Sequence, residues 1–255
     1  MSATVTTTMV IGGEGQVGGA LLEALGDRPV VVTQRRRPEE PSYLDLGSAA
    51  RCVPTLQPYM ASRGVGVVFI AAGMAWVDGC EQRPDQAYAI NRDGAAAVAR
   101  MAREVGARTV YYSTEYVFDG RGGPYSEEVA PNPISVYGKS KLAGEEAVMA
   151  ADPDALVVRT TVVYGPEEQG KNFAYQLAQR LAAGEAMMVP EDQVSSPTYN
   201  RDLAAFSVAL VDAGTRGIYN VVGPETVDRL TFARRLARAA GLDPGPIRGD
   251  GFRVA

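Results

Sequence analysis

The chain predicts a doubly wound α/β fold built on a parallel sheet, and three observations carry this. Six apolar, β-branched runs lack the polar/apolar alternation of strands with one wet face. Segments of helical period separate them, giving a β-α-β rhythm. A glycine-rich turn joins the first run to the first helical segment. A length of 255 residues suffices for one large α/β domain with a smaller appendage.

Taken in order, the strand candidates are 6–13 (TTTMVIGG), 28–34 (RPVVVTQ), 65–73 (VGVVFIAAG), 108–114 (RTVYYST), 155–163 (ALVVRTTVV) and 217–223 (GIYNVVG). Helical patterns lie between them at 16–26, 85–106 and 140–151. After about residue 165 the rhythm loosens into longer loops and three further helical patterns, 172–185, 200–214 and 230–241. The sequence therefore divides into a dinucleotide-binding domain over 1–165 and a smaller substrate-binding region over 166–255, with 217–223 returning to the main sheet.

The glycine turn, VIGGEGQVGGAL, is the first element with chemical content. Gly12, Gly15 and Gly18 fall at the spacing G-x-x-G-x-x-G, after a strand and before a helix. Such glycines permit a tight turn and let the backbone approach a pyrophosphate, while the helix N-terminus offers free N–H groups. Gln16 and Val17 stand within the same turn. This is a Rossmann-type dinucleotide signature. Where an NAD-preferring site carries an acidic residue after the second strand, this chain has VVVTQRRRPEE, with no carboxylate between Asp27 and Glu39. Arg35 and Arg36, with Arg37 behind them, stand where a ribose 2′-phosphate would lie, which favours NADPH/NADP+ over NADH.

The second chemical element is SVYGKSKLAG (135–144), which contains two of the three lysines in the chain. In a helix beginning near Ser135, Tyr137 and Lys141 share a face, about 6 Å apart along the axis. An ammonium near a phenol favours the phenolate and makes the phenol a better proton donor, the partner that hydride transfer needs. Upstream, STEYVFDG ends a core strand with Ser113 and Thr114 at the carboxyl edge of the sheet, where open α/β folds bind ligands.

Composition excludes several alternatives. Histidine is absent, so imidazole-based catalysis and most zinc sites are closed, and no metal site is expected. A net charge of -5 argues against nucleic acid and anionic membranes as partners. Two isolated cysteines, Cys52 and Cys80, and no long apolar run predict a cytoplasmic protein with free thiols.

These stretches resemble the extended short-chain dehydrogenase/reductase family, most closely its dTDP-4-dehydrorhamnose reductase branch, which also includes the regulatory β subunit of methionine adenosyltransferase. The matching segments are GGEGQVG, AWVDGCEQRPDQAYAINRDG, STEYVFDGRGGPYSEEVAPNPISVYGKSKLAGE, VVRTTVVYG, DQVSSPTYNRDLA and GIYNVVGPE. The resemblance implies an NADP-dependent oxidoreductase that reduces the 4-keto group of a nucleotide-activated deoxysugar, a step of deoxysugar biosynthesis. It implies Tyr137 as proton donor, Lys141 as the residue that lowers its pKa and binds the nicotinamide ribose, and Thr114 as third catalytic member. Asp45 and Leu46 would meet the adenine, Ala71 and Ala72 the nicotinamide side, and Glu115 and Tyr116 the substrate. A homodimer is frequent in the family. The chain departs from the family pattern at Glu115, where aspartate is usual, at Val162, where a tryptophan packs on the sugar, and at Gly19 and Ala20, where some relatives place a magnesium-binding carboxylate. The other readings are a reductase or epimerase of another carbonyl, and a non-catalytic NADP-binding regulatory subunit.

Overall fold

The computed structural model describes residues 6–250, so the outermost five residues at each end of the predicted domain ranges lie outside it. In chain order the strands are β1 (Thr7–Ile11), β2 (Val30–Val32), β3 (Val65–Ile70), β4 (Arg108–Thr114), β5 (Leu156–Thr160), β6 (Val163–Tyr164), β7 (Met187–Pro190), β8 (Val194–Ser195), β9 (Thr198–Tyr199), β10 (Gly217–Asn220), β11 (Val227–Asp228) and β12 (Ile247–Asp250). The helices are α1 (Gln16–Leu25), α2 (Ala49–Ser62), α3 (Val77–Gln82), α4 (Pro84–Tyr88), α5 (Ala95–Glu104), α6 (Val136–Ala151), α7 (Phe173–Ala182), α8 (Asn200–Asp212) and α9 (Arg229–Ala239).

The main sheet has six parallel strands in the order β10-β5-β4-β3-β1-β2. Its strands are apolar on both faces because both faces are covered. Met9, Ile11, Val68, Ile70, Tyr111 and Val157 pack into one cluster with α2 and α5. The alternate residues Val10, Phe69, Val110, Tyr112, Leu156 and Val158 pack into the other with α1 and α8. This period-2 division explains why the sequence shows runs rather than alternation. The order reverses beside β1, and open α/β folds bind ligands at such a point, outside the carboxyl ends of the strands.

β1, β2, β3, β5 and β10 end before the predicted runs do, while β4 matches its run, 108–114. The run 155–163 divides into β5 and β6. The single helical pattern over 85–106 is interrupted by a π-helical stretch, Ala89–Gly94, between α4 and α5. Helix α2 was not anticipated, since Pro54 and Pro58 lie inside it. Its buried residues Ala49, Cys52, Leu56 and Met60 make an apolar stripe against the sheet, and that packing overrides the proline penalty.

Beyond residue 165, α8 packs on α1 and β10 joins the main sheet, so both belong to the large layer. The remainder has its own small core of Leu177, Leu181, Val189, Ala233, Ala237 and Ile247, supplied by α7, α9, β7 and β12. The loops of this lobe stand over the carboxyl edge of β4 and β5.

Candidate active site

Gly12 follows β1 with φ of +87°, and a Cβ there would come 2.9 Å from Ala72 Cβ. A Cβ at Gly18 would collide with the Gly12 carbonyl. Glycine at these two positions draws the ends of β1 and β3 onto the start of α1, and the Ala71 N–H donates to Ile11 O at 3.0 Å. Gly15 is the N-cap of α1, its first-turn N–H groups meet no capping side chain, and no acidic residue occupies that turn. Gln16 Nε2 is buried without a partner, while Val17 packs against the sheet. A bare helix N-terminus, a cradle that any side chain would fill, and an orphaned buried amide fit an anionic diphosphate. Gly13 belongs to the same cradle, since a Cβ there would meet Val32 Cγ1 at 2.6 Å.

After β2 the chain is held by Gln34, whose Oε1 accepts from the Arg36 and Arg37 N–H groups at 2.9 and 2.8 Å. Arg35 Nε lies 3.3 Å from Asp45 Oδ1, and Arg36 Nη2 lies 3.9 Å from Glu14 in the glycine turn. The structure thus brings Arg35, Arg36 and Asp45 to one edge of the cleft, whereas Arg37 turns to Glu40. The carboxylates missing from the local sequence arrive from Glu14 and Asp45. Asp45 also accepts from Gly47 N at 3.3 Å, starting the short 3-10 turn that buries Leu46.

Tyr137 and Lys141 both project from α6, whose N-terminus is capped by Ser135 accepting from Gly138 N at 3.1 Å. Tyr137 lines a cavity of about 250 Å³ at the carboxyl edge of β4 and β5, together with Thr114. Lys141 is buried, its Nζ donating to Tyr112 O at 2.6 Å and resting 3.9 Å from the Tyr111 ring centroid. Burial pushes the Tyr137 phenol up to about 12, and the Thr114 hydroxyl draws it partly back. Burial pushes the Lys141 ammonium down to about 7, against the pull of Glu145. Burial thus works against the lowering of the phenol expected from a nearby ammonium. Phenolate loses its hydration in the buried site, and the ammonium that would compensate is itself disfavoured there.

Asn91, from the π-helical stretch, was missed by sequence reasoning. Its Oδ1 accepts from Met74 N at 2.8 Å, and its Nδ2 donates to Met74 O and Ser140 Oγ, each at 3.0 Å. Ser140 Oγ in turn donates to Tyr137 O at 2.8 Å, so Asn91 ties the loop after β3 to the helix that carries Tyr137. A π-bulge is a frequent mark of such a position. Its sequence signal, a polar residue on an apolar helix face, is slight.

Glu115 and Tyr116 face the same cavity as Tyr137. Tyr116 meets Tyr137 edge to face with centroids 5.4 Å apart. Burial raises the Glu115 carboxyl, opposed by the Thr161 hydroxyl and the Arg229 guanidinium. Ser113, Thr160 and Thr161 also line the cavity, and the buried hydroxyls of Ser113 and Thr160 have no partner. Val162, another wall residue, holds φ of +39°, a strained conformation for a β-branched side chain. From the small lobe, Gln193 approaches Tyr116 Oη at 3.5 Å and accepts from Arg229. Gln193, Arg229, Thr160 and Thr161 escaped sequence reasoning because their role depends on the lobe closing over β4 and β5. Among the described residues no group of three His, Cys, Asp or Glu side chains is placed to hold a metal, and no helix is long and apolar enough to cross a membrane.

A parallel sheet with a glycine cradle at its switch point, and a Tyr-x-x-x-Lys helix beside a strand-end threonine, define an extended short-chain dehydrogenase/reductase. Within that class the chain belongs to the family described as RmlD substrate binding domain, which matches residues 6–251. A dTDP-4-dehydrorhamnose reductase of Mycobacterium tuberculosis is 43% identical over 189 residues, a stretch covering 71% of this chain and 62% of that protein's length. The chain thus spans less than two thirds of this relative. A probable low-salt glycan biosynthesis reductase of Haloferax volcanii is 32% identical over 244 residues, covering 92% of this chain and 80% of the relative. Among solved structures, a dTDP-4-dehydrorhamnose reductase of Bacillus anthracis in complex with NADP superposes with a TM-score of 0.85 at 29% identity, covering 96% of this chain and 83% of that one.

Proposed function

We propose that the protein reduces the 4-keto group of a nucleotide-activated deoxysugar with NADPH. The observation that carries this reading is the cavity in which the Tyr137 and Thr114 hydroxyls meet, beside a glycine cradle suited to a dinucleotide. NADPH, when bound, would supply the hydride, with Gly12, Gly15, Gln16, Val17 and Gly18 around its diphosphate, Arg35 and Arg36 at its 2′-phosphate, Asp45 and Leu46 at the adenine, and Ala71 and Ala72 beside the nicotinamide. Tyr137, protonated throughout neutral pH, gives its proton to the oxygen that becomes a hydroxyl. Thr114 orients the phenol, and the Lys141 ammonium offsets the phenolate charge that remains. Glu115 and Tyr116 contact the sugar, with Ser113, Thr160 and Thr161 in the cavity wall around it.

The test is NADPH consumption against a panel of dTDP-, GDP- and UDP-linked 4-keto sugars. Turnover of at least one is expected; silence across the panel would discard the reading. The same assay across pH probes Lys141. Its folded pKa lies below the ordinary lysine value, so the ammonium is present below about pH 7 and is lost as pH rises through that value. Because kcat/KM reports free-enzyme groups, it should fall above about pH 7, with no limb from the phenol below about 12. A flat profile from pH 6 to 9 would remove the charge of Lys141 from the mechanism.

The cofactor assignment has its own check. Replacing Arg35 and Arg36 by Ala should weaken NADPH about 10- to 100-fold, the loss of one or two charge-assisted hydrogen bonds, and leave NADH unaffected. Equal calorimetric affinities of the parent protein for NADPH and NADH would refute a 2′-phosphate site at these arginines. We extend the reading to a cytoplasmic homodimer. The thiols of Cys52 and Cys80, buried and unpaired, support the location, and the assembly rests on family resemblance, to be measured by light scattering.

A further inference from the structure

Glu115 follows Thr114 directly, as the first residue of the 3-10 turn Glu115–Val117 at the carboxyl edge of β4. Among the described residues it is the one carboxylate that lines the cavity of Tyr137 and Thr114. Reduction of a ketone needs a hydride and a proton but no base, so this carboxylate has no chemical part in the step above. Among the described residues no Lys or Arg side chain forms an ion pair with it, which leaves it free to accept a proton. Burial raises its affinity for that proton, while the Thr161 hydroxyl and the Arg229 guanidinium oppose the rise and sustain the ionised form. Tyr137, held protonated by burial, faces the same space. A carboxylate base and a phenolic acid around one carbonyl are the two groups that enolisation requires, the base at the neighbouring carbon and the acid at the oxygen.

We propose that the site also enolises its keto-sugar substrate, with Glu115 as base and Tyr137 as acid, and so exchanges with solvent the hydrogen on the ring carbon beside the 4-keto group. The Glu115 carboxylate removes that hydrogen as a proton. The C–H electron pair becomes a carbon–carbon double bond, the carbonyl π pair moves to oxygen, and the Tyr137 proton joins that oxygen. Reversal returns the proton to the phenol and delivers one from the Glu115 carboxyl to carbon, so neither oxidant nor reductant is consumed. With no second carboxylate among the described wall residues, the proton returns to the face it left, giving exchange without epimerisation. The proposal rests on the nucleotide-sugar reading above, but its failure is separable. The probe is a 4-keto sugar nucleotide that the parent reduces, incubated in deuterium oxide with the protein and NADP+, which has no hydride to give. Mass spectrometry and NMR then read deuterium beside the ketone, and the parent should introduce it faster than a protein-free sample. Glu115→Gln should lower the ratio of exchange to reduction at least about 10²-fold, the low end of what one positioned base supplies, with NADPH affinity as the control on folding. Glu115→Asp, which keeps the carboxylate, should retain more exchange than Glu115→Gln, and Tyr137→Phe should lose exchange together with reduction. An unchanged ratio in Glu115→Gln overturns the proposal, because another group would then be the base. If the parent reduces the sugar but exchanges no faster than the protein-free sample, only this inference falls. If the parent reduces no sugar of the panel, the nucleotide-sugar reading falls and takes this inference with it.

Discussion

Tyr137→Phe is expected to lose about 10²- to 10⁴-fold in turnover of a keto-sugar nucleotide, the usual worth of one positioned proton donor, and to bind NADPH nearly as well as the parent. The substitution removes a single oxygen from a side chain that otherwise packs edge to face against Tyr116, so the ring and the helix should stay in place. The loss should appear in kcat, because the missing interaction belongs to the step in which the carbonyl oxygen gains charge. Single-turnover measurement with saturating NADPH separates this from slow product release. A variant as fast as the parent would show that another group delivers the proton. The nearest candidate is then Thr114, whose Oγ1 accepts from Tyr116 N at 3.2 Å and whose hydroxyl lies against the phenol.

The second large effect concerns stability. Glu145 and Arg159 form a bidentate pair at 2.9 and 2.6 Å, with side-chain exposures of 2% and 3%. Glu145→Gln leaves the Arg159 guanidinium buried without a counter-charge, and removal of one partner of such a pair costs roughly 3–5 kcal/mol. Denaturant unfolding should show this as a lowered midpoint with little change in slope. Replacing both partners, Glu145→Leu with Arg159→Met, should recover most of the loss, since an apolar pair of similar volume carries no desolvation cost. Glu145 also supports the charge on Lys141 from one helical turn away. Its loss should therefore move the alkaline decline of kcat/KM to lower pH. A cost under about 1 kcal/mol would mean that water reaches the pair.

Much of the fold was legible because its signals are local. The strand runs are apolar on both faces, and the spacing of Gly12, Gly15 and Gly18 encodes a turn that few other residues could make. Helix α2 was hidden because Pro54 and Pro58 speak against a helix, while the packing of Leu56 and Met60 that outweighs them is visible only in three dimensions. The interruption of the 85–106 pattern was hidden likewise, since the π turn that orients Asn91 leaves the apolar period nearly intact.

The amino-acid sequence by itself determined the parallel α/β architecture, the glycine cradle, and the placing of Tyr137 and Lys141 on one helix behind a strand-end threonine, because each depends on residues a few positions apart. Only the tertiary structure decided the state and surroundings of those groups. It buried Lys141 against Tyr112 O, raised Tyr137 by burial, supplied Glu14 and Asp45 to the arginines, and brought Gln193 and Arg229 to the cavity. Burial and electrostatic pairing depend on which distant segments meet, and that is settled when the small lobe packs against the edge of the sheet.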